Sequence, residues 1–397
     1  MHAPPGMSPQ AARFFELQEI LLACEGLWRP APFHVRRPGW CETRPELAGH
    51  ALGLPDAEVH RLAADNAALI DWIAAFIPEL AALRRLIGLP RLDASRTEVS
   101  NRLGWQIPGR KLAQVEAFAE AMGAPARAVL EWCSGKGHLG RWLASRWGVP
   151  VASLELDAAL CAEGDALARR ARLAQRFVCA DALDPASARH LAGRHAVALH
   201  ACGDLHVALI RGAVASGAAA LDLSPCCYYR TASAEYRPLN PDARLKLGRD
   251  ELHLAVTDTA TAGARDLRQR DRGMAWKLAF LNLREALAGI EPARPFKPVP
   301  AAWTSLGFEA WCRRLALREG IAVPAHYDWS ALEAAGWARR REVVRLELVR
   351  HVFRRPLEIW LALDRVLYLE RAGYRVRLAE FCDRSLTPRN LLISARR

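Results

Sequence analysis

Apolar positions along the chain change their period twice. Over Ala12–Cys24 they recur every three to four residues, which predicts a helix; Trp28–Trp40, with its prolines, breaks it. A second helical pattern runs from Asp56 to Ile87, with Leu62, Ile70, Ile73 and Ile77 on one stripe and Pro78 dividing it. Asp93–Gly104 is polar and reads as a loop, and Leu112–Met122 as another helix. From Ala128 the pattern switches to short, mainly apolar runs: Ala128–Trp132, Val151–Glu155, Gln175–Cys179, Ala196–His200 and Ala218–Leu223. Helical stretches separate them at Leu139–Trp147, Ala158–Ala174, Ser187–Leu191 and Leu205–Ala215. Strands apolar on both faces, alternating with helices, predict a parallel sheet covered on both sides.

Beyond Tyr228 the rhythm loosens. Leu252–Val256 reads as a short strand, Met274–Leu287 as a helix, and Pro292–Pro300 as a connector. Ser305–Glu319 and Trp329–Tyr368 read as helices, with a strand-like patch at Glu342–Leu348. Tyr374–Phe381 and Leu391–Ala395 look like a closing strand pair. The expected fold is therefore α/β, a Rossmann-like sheet with an N-terminal helical region (1–106) and a core at 107–229. A largely helical insertion (230–370) and a C-terminal strand pair (371–397) complete it.

The chain has 397 residues, enough for two structural regions, and 25% charged residues, which argues against wholesale disorder. No run of eighteen apolar residues suggests a membrane span, and the N-terminus has no basic-then-apolar leader, so a cytoplasmic protein is the expectation. The ten cysteines are scattered, as reduced thiols would be. A net charge of +12, carried almost wholly by arginine, fits either an arginine-rich coding bias or a phosphate-bearing partner.

The densest chemical signal is Glu131-Trp132-Cys133-Ser134-Gly135-Lys136-Gly137-His138. An apolar strand ends in an acid, a glycine turn follows, and a helix begins. Gly135 and Gly137 let the backbone approach a ligand. Glu155 ends the next strand and Asp181 follows the third, where acids accept hydrogen bonds from ribose hydroxyls or an adenine amine. Lys136 lacks the following Ser or Thr of a P-loop. Gly140 completes a Gly-x-Gly-x-x-Gly spacing, so a nicotinamide cofactor stays open, although the acids better suit a cofactor without phosphate.

Ser134-Gly135-Lys136-Gly137-His138-Leu139, with His200-Ala201-Cys202-Gly203-Asp204-Leu205, Cys226-Cys227-Tyr228, Leu363-Asp364-Arg365 and Ser385-Leu386-Thr387-Pro388-Arg389-Asn390, resembles a branch of class I methyltransferase-like proteins. That branch includes proteins described by an rRNA adenine dimethylase-like domain, and Pro108-Gly109-Arg110-Lys111 with Gln114-Val115 resembles a further segment of it. The glycine turn and cysteine-bearing strand ends are also similar to those of Trm-type tRNA ribose methyltransferases. The resemblance implies S-adenosylmethionine as cofactor, held by Glu131, Ser134, Gly135, Gly137, His138, Glu155, Asp181, His200, Cys202 and Gly203. It makes RNA the first substrate to consider. A protein or small-molecule methyltransferase and a noncatalytic scaffold are the alternatives.

For chemistry the candidates are Asp204 or His200 as proton acceptor, Tyr228 as a stacking surface and Cys226 as a thiol nucleophile. Cys202 and Cys227 read equally well as small buried residues. No metal is expected: there is no Cys-x-x-Cys pair, and Cys226 and Cys227 would point apart if both continued a strand. Arg110 and Lys111, with the Arg339–Arg355 stretch, are the candidate nucleic-acid surface, and Trp329, Trp337 and Trp360 either stack or pack.

Overall fold

The computed structural model describes residues 7–92, 107–257, 263–291, 298–300, 303 and 305–397. The loop expected over Asp93–Gly104 lies outside them, as does most of the Pro292–Pro300 connector. The chain forms two compact units. One comprises Met1–Leu21, Arg85–Thr261 and Arg354–Arg397; the other joins Leu22–Arg84 to Ala262–Phe353. This differs from the division at residues 106, 229 and 370. Neither joining could be read from local pattern, because each links segments far apart in sequence.

The first unit is built on a seven-stranded sheet, ordered β3-β2-β1-β4-β5-β7-β6. Its strands are β1 Val129–Trp132, β2 Val151–Glu155, β3 Gln175–Cys179, β4 His195–Cys202, β5 Ala220–Cys226, β6 Arg375–Glu380 and β7 Leu391–Arg396. Strands β1 to β5 run parallel, and β7 lies antiparallel between β5 and β6. All of β1 and β5 is buried, as the continuous apolar runs require. The chain reverses its winding between β1 and β4, so the carboxyl ends of the parallel strands open onto one crevice.

Local chemistry sets the boundaries. The Asp157 side chain caps the helix Ala158–Arg170, accepting from Ala159 N at 2.8 Å and Leu160 N at 3.2 Å. Pro225 sits in β5 beyond Leu223, where pairing with β7 stops and its missing N–H is not needed. The first helix starts at Pro9, three residues before the predicted Ala12, since proline suits a first helical turn.

Two strand expectations fail. Residues Arg249–Leu254 form a helix in place of the strand expected at Leu252–Val256; Gly248 N donates to Glu251 Oε2 at 2.8 Å across its first turn. Glu342–Leu348 lies within the helix Trp329–His351. Its buried positions Leu332, Gly336, Arg339, Val343 and Leu346 alternate by four and three, a helical seam that outweighs the local β-branched pair. The expected helix Trp329–Tyr368 is two helices, Trp329–His351 and Arg354–Arg371, which belong to different units.

The second unit is helical. Gly336 allows a close crossing with the helix Ala264–Ala288, since a Cβ there would lie 2.4 Å from Ala275 O. Trp276, Phe280, Trp311 and Leu315 fill the adjoining core. Among the described residues, no helix is long and apolar enough to cross a membrane.

Candidate active site

The crevice is floored by a buried polar network that shapes the glycine turn. Glu131 is only 4% exposed, and its Oε2 accepts from Ser153 Oγ at 2.7 Å. Gln175 Nε2 donates to the same hydroxyl at 2.8 Å and to Gly137 O at 3.0 Å. A Cβ on Gly137 would meet Gln175 Nε2 at 2.4 Å, and one on Gly140 would meet Glu131 Oε2 at 2.5 Å. Gly140 thus serves helix-to-sheet packing over this network, a role that the third glycine of such a turn has whichever cofactor is bound. Glu131 is buried beneath the turn and shapes it, with its Oε2 bonded to Ser153 inside the protein.

Burial pushes the Glu131 carboxyl up to about 7, against the opposing pull of Ser153, the Gly140 N–H, Arg141 and Lys111. A folded-state value above the unfolded one means the folded protein holds the extra proton between about pH 4.5 and 7. The group's stabilising contribution is complete below the lower value and is lost as pH rises through the upper one. Glu131→Gln cannot ionise. From pH 5 to 8 the variant is expected to gain on the wild type by roughly 2–3 kcal/mol, at about 1.4 kcal/mol per unit. Urea unfolding of both proteins at the two pH values checks this, and a constant difference between them would refute it.

His138 is also directed inward. Its Nδ1 accepts from Arg141 Nη2 at 2.5 Å, and desolvation, helped by Arg141, lowers its pKa to about 4. It braces the turn instead of facing a ligand. Ser134 is half-buried, and its carbonyl accepts from Gly137 N at 2.9 Å. Gly135, at φ 56°, has open space where a Cβ would stand.

The two acids lie on the open side. Glu155 Oε2 accepts from Gly135 N at 2.8 Å, and its Oε1 accepts from Leu156 N at 2.9 Å and Asp157 N at 3.1 Å. Asp181 is exposed and accepts from Leu183 N at 2.8 Å. Beside them stand two leucines that sequence reasoning passed over, Leu156 at 64% and Leu183 at 52% exposure. An apolar residue inside each acidic turn was the available signal.

Strand β4 bulges between Leu199 and Ala201, turning His200 to φ 65°. His200 Nε2 lies 3.0 Å from Gln114 Oε1, while Gln114 Nε2 donates to Leu386 O at 3.2 Å. A carbonyl only accepts, so Gln114 must present its oxygen to His200. The imidazole then carries its proton on Nε2 and leaves Nδ1 as a lone pair. Burial lowers the His200 pKa to about 4, with Arg389 and Lys111 contributing. Gln114 and the 383–390 turn were thus missed as the parts that orient this histidine.

The remaining candidates are tied into the rim. Asp204 Oδ2 accepts from Ala232 N at 2.7 Å, latching the turn after β5. Gly203 N donates to Cys226 O at 3.1 Å. Tyr228 is only 1% exposed, with the Arg365 guanidinium 5.0 Å from its ring centre, so it cannot be the stacking surface that was expected. Cys226 is buried, and its thiol lies 3.3 Å from Cys202 Sγ. The neighbouring Cys202 and Cys227 thiols, with burial, raise its pKa, and at 3% exposure its sulfur is not offered to a substrate as a nucleophile would be.

The basic stretch is largely tied in as well. Arg339 donates to Pro32 O at 2.6 Å and pairs with Glu342, Arg345 reaches Leu54 O and Asp56, and Arg350 reaches Trp28 O, all inside the helical unit. Arg354 and Arg355 are buried in the sheet unit, Arg355 between Glu358 and Glu380. These arginines are spent on the protein's own carbonyls and carboxylates, Arg340 pairs with Asp271, and Arg341 is exposed. Arg110 donates to Leu386 O and Ser385 O, both at 3.1 Å. Lys111, in the helix Gly109–Met122 that carries Gln114, is exposed, and its charge is felt at His200, His138 and Glu131. Trp360 packs on Phe14, with ring centres 5.2 Å apart.

Residues 110–234 match a family described as "Methyltransferase domain". Among solved structures, the cyclopropane synthase MmaA2 from Mycobacterium tuberculosis overlaps 88% of this chain and 96% of its own, at 12% identity and a TM-score of 0.25.

Proposed function

We propose, from the premise that residues 110–234 are a methyltransferase domain, that the protein methylates an oxygen or nitrogen nucleophile of RNA. It is an enzyme, and its methyl donor is S-adenosylmethionine. The observation that carries the reading is the run of Gly135, Glu155–Leu156 and Asp181–Leu183 along three neighbouring strand ends. Carboxylates suit ribose hydroxyls and an adenine amine, exposed leucines suit the faces of an apolar ring, and the open space at Gly135 suits close backbone approach. Among the described residues no cluster of cations for a pyrophosphate accompanies them, and the Lys136 ammonium is paired with Glu163 at 2.5 Å.

The cofactor supplies an electrophilic methyl on a sulfonium; the protein's contribution is alignment. His200 offers the Nδ1 lone pair to the proton of an incoming hydroxyl or amine. With its pKa near 4 it is a weak base, so it orients the nucleophile more than it deprotonates it. Lys111, whose charge is felt at His200, favours with the net charge of +12 a phosphate-bearing substrate.

Tritiated methyl transfer into fractionated cell extract, with RNase and protease controls, tests the whole reading. Label in an RNase-sensitive fraction is expected; label in protein or small molecules would overturn the RNA assignment. Glu155→Ala should weaken S-adenosylmethionine binding by about tenfold or more, as loss of one or two charged hydrogen bonds does. Lys111→Glu should reduce RNA labelling and leave cofactor affinity unchanged. Thermal stabilisation by NADH in place of S-adenosylmethionine would sink the cofactor assignment.

A further inference from the structure

Among the described residues, four that are not glycine have positive φ, and three of them stand at the strand ends of this crevice: Cys133 at 54°, His200 at 65° and Cys227 at 43°. Such backbone is sparsely populated and costs of order 1–3 kcal/mol per residue, so its clustering here asks for a purpose. At Cys227 the effect is specific. Were β5 to continue, Cys226 and Cys227 would face opposite sides of the sheet. The strand stops at Cys226, and the left-handed turn at Cys227 brings its sulfur back to the same side. Cys202 completes the set from β4, in direct register with Cys226. The three sulfurs all lie within 4.8 Å of one another.

We propose that Cys202, Cys226 and Cys227 form a three-thiolate binding site for a thiophilic divalent cation, zinc being the ion that fits best. Tetrahedral zinc holds sulfurs at about 2.3 Å from the metal, hence about 3.8 Å apart. The Cys202–Cys226 separation of 3.3 Å needs to open by roughly half an ångström, within reach of a side-chain rotation. Cys226 is buried while Cys202 and Cys227 are partly exposed, so the set is anchored on one side and open on the other. Three protein ligands with a fourth position facing a crevice is the arrangement of a reactive metal site, whereas structural sites are closed by four. Three thiolates and one divalent ion leave a net single negative charge. The Arg230 guanidinium, whose charge acts on both Cys202 and Cys227, offsets it. Soft sulfur donors select zinc over magnesium or calcium. The site does not depend on the methyl-transfer reading.

The test uses the full chain. Protein stripped with a chelator under reducing conditions is titrated with cadmium, following the thiolate-to-cadmium charge-transfer absorption, and zinc then competes. One ion per chain is expected, with an absorption amplitude corresponding to three thiolates. Cys202→Ser, Cys226→Ser and Cys227→Ser should each weaken binding by about a hundredfold or more, since even groups that merely orient ligands contribute 10–100-fold. Cys41→Ser, in the other unit, should bind as the wild type does. The wild-type amplitude stands as a measure even if a serine variant misfolds. Absence of a stoichiometric band overturns the site. So does an amplitude of two thiolates or fewer, or a Cys202–Cys226 disulfide found by mass spectrometry in protein prepared without oxidant.

Discussion

Gly203→Ala is expected to destabilise the sheet unit by more than about 3 kcal/mol, or to abolish soluble protein, combining left-handed strain with a backbone clash. Gly203 stands at φ 52°, ψ −122°, a combination that residues with a Cβ rarely adopt. An added methyl would lie 1.8 Å from Arg230 O, which is backbone and cannot swing aside. Relief would require moving the turn after β5, and that turn is held by Gly203 N to Cys226 O, Asp204 N to Arg230 O, and Ala232 N to Asp204 Oδ2. Any variant that folds should therefore also have displaced thiols at Cys226 and Cys227. Gly135→Ala separates the two causes. It has a similar φ of 56° but open space around the new methyl, so about 1–2 kcal/mol is expected from backbone conformation alone. Denaturant unfolding of both variants decides the matter. Equal losses would show that the approach to Arg230 O carries no energy.

Gly203 also shows what sequence could and could not disclose. The parallel strands β1, β2, β4 and β5 were legible because burial on both faces makes each one a mainly apolar run, β3 from the helix–strand alternation around it although it is half-exposed, and Glu155 and Asp181 because they end or follow such segments. The bulge that turns His200 inward was not, since it depends on register between β4 and β5 and leaves no local mark. The Arg339–Arg355 stretch was opaque for a related reason. A run of arginines states how many donors exist but not where they are spent; here Pro32 O, Leu54 O and Trp28 O, hundreds of residues away, take them. Cys227 misled through strand periodicity, which holds only while the strand lasts. Gln114 entered only as part of a segment resembling the family, with no role of its own; that role depends on the 383–390 turn, whose Leu386 carbonyl fixes its amide.

Asp364→Ala is expected to cost about 3–5 kcal/mol, because it removes one partner of a buried ion pair and leaves the other charge in place. Asp364 is fully buried in the helix Arg354–Arg371. Its carboxylate accepts from Tyr236 OH at 2.5 Å, Leu239 N at 2.9 Å and Asn240 N at 2.7 Å, clamping the loop that follows the β5 turn. Arg365 beside it donates to Leu361 O at 2.7 Å and to Tyr236 OH at 2.5 Å. It also donates to His206 Nε2 at 3.2 Å, and the His206 Nδ1 proton goes to Ala201 O at 3.1 Å. Since His206 accepts from Arg365, its ring must be neutral, in keeping with the lowering of its pKa by burial and by that guanidinium. The same guanidinium lies over the Tyr228 and Tyr236 rings. The pair therefore links the helix Arg354–Arg371 to the strand ends that carry Cys202 and Cys227, which gives the Leu363-Asp364-Arg365 motif a positioning role. Asp364→Asn keeps the shape and one acceptor but loses the charge, and should cost about half as much. In the double variant Asp364→Ala/Arg365→Met the unpaired charge is gone as well, so the loss should fall well short of the sum of the single losses. Chemical denaturation of the wild type, Asp364→Ala, Arg365→Met and the double variant gives the coupling directly. Additive losses would mean that the two residues stabilise the unit independently and that the network is not the unit that holds the rim.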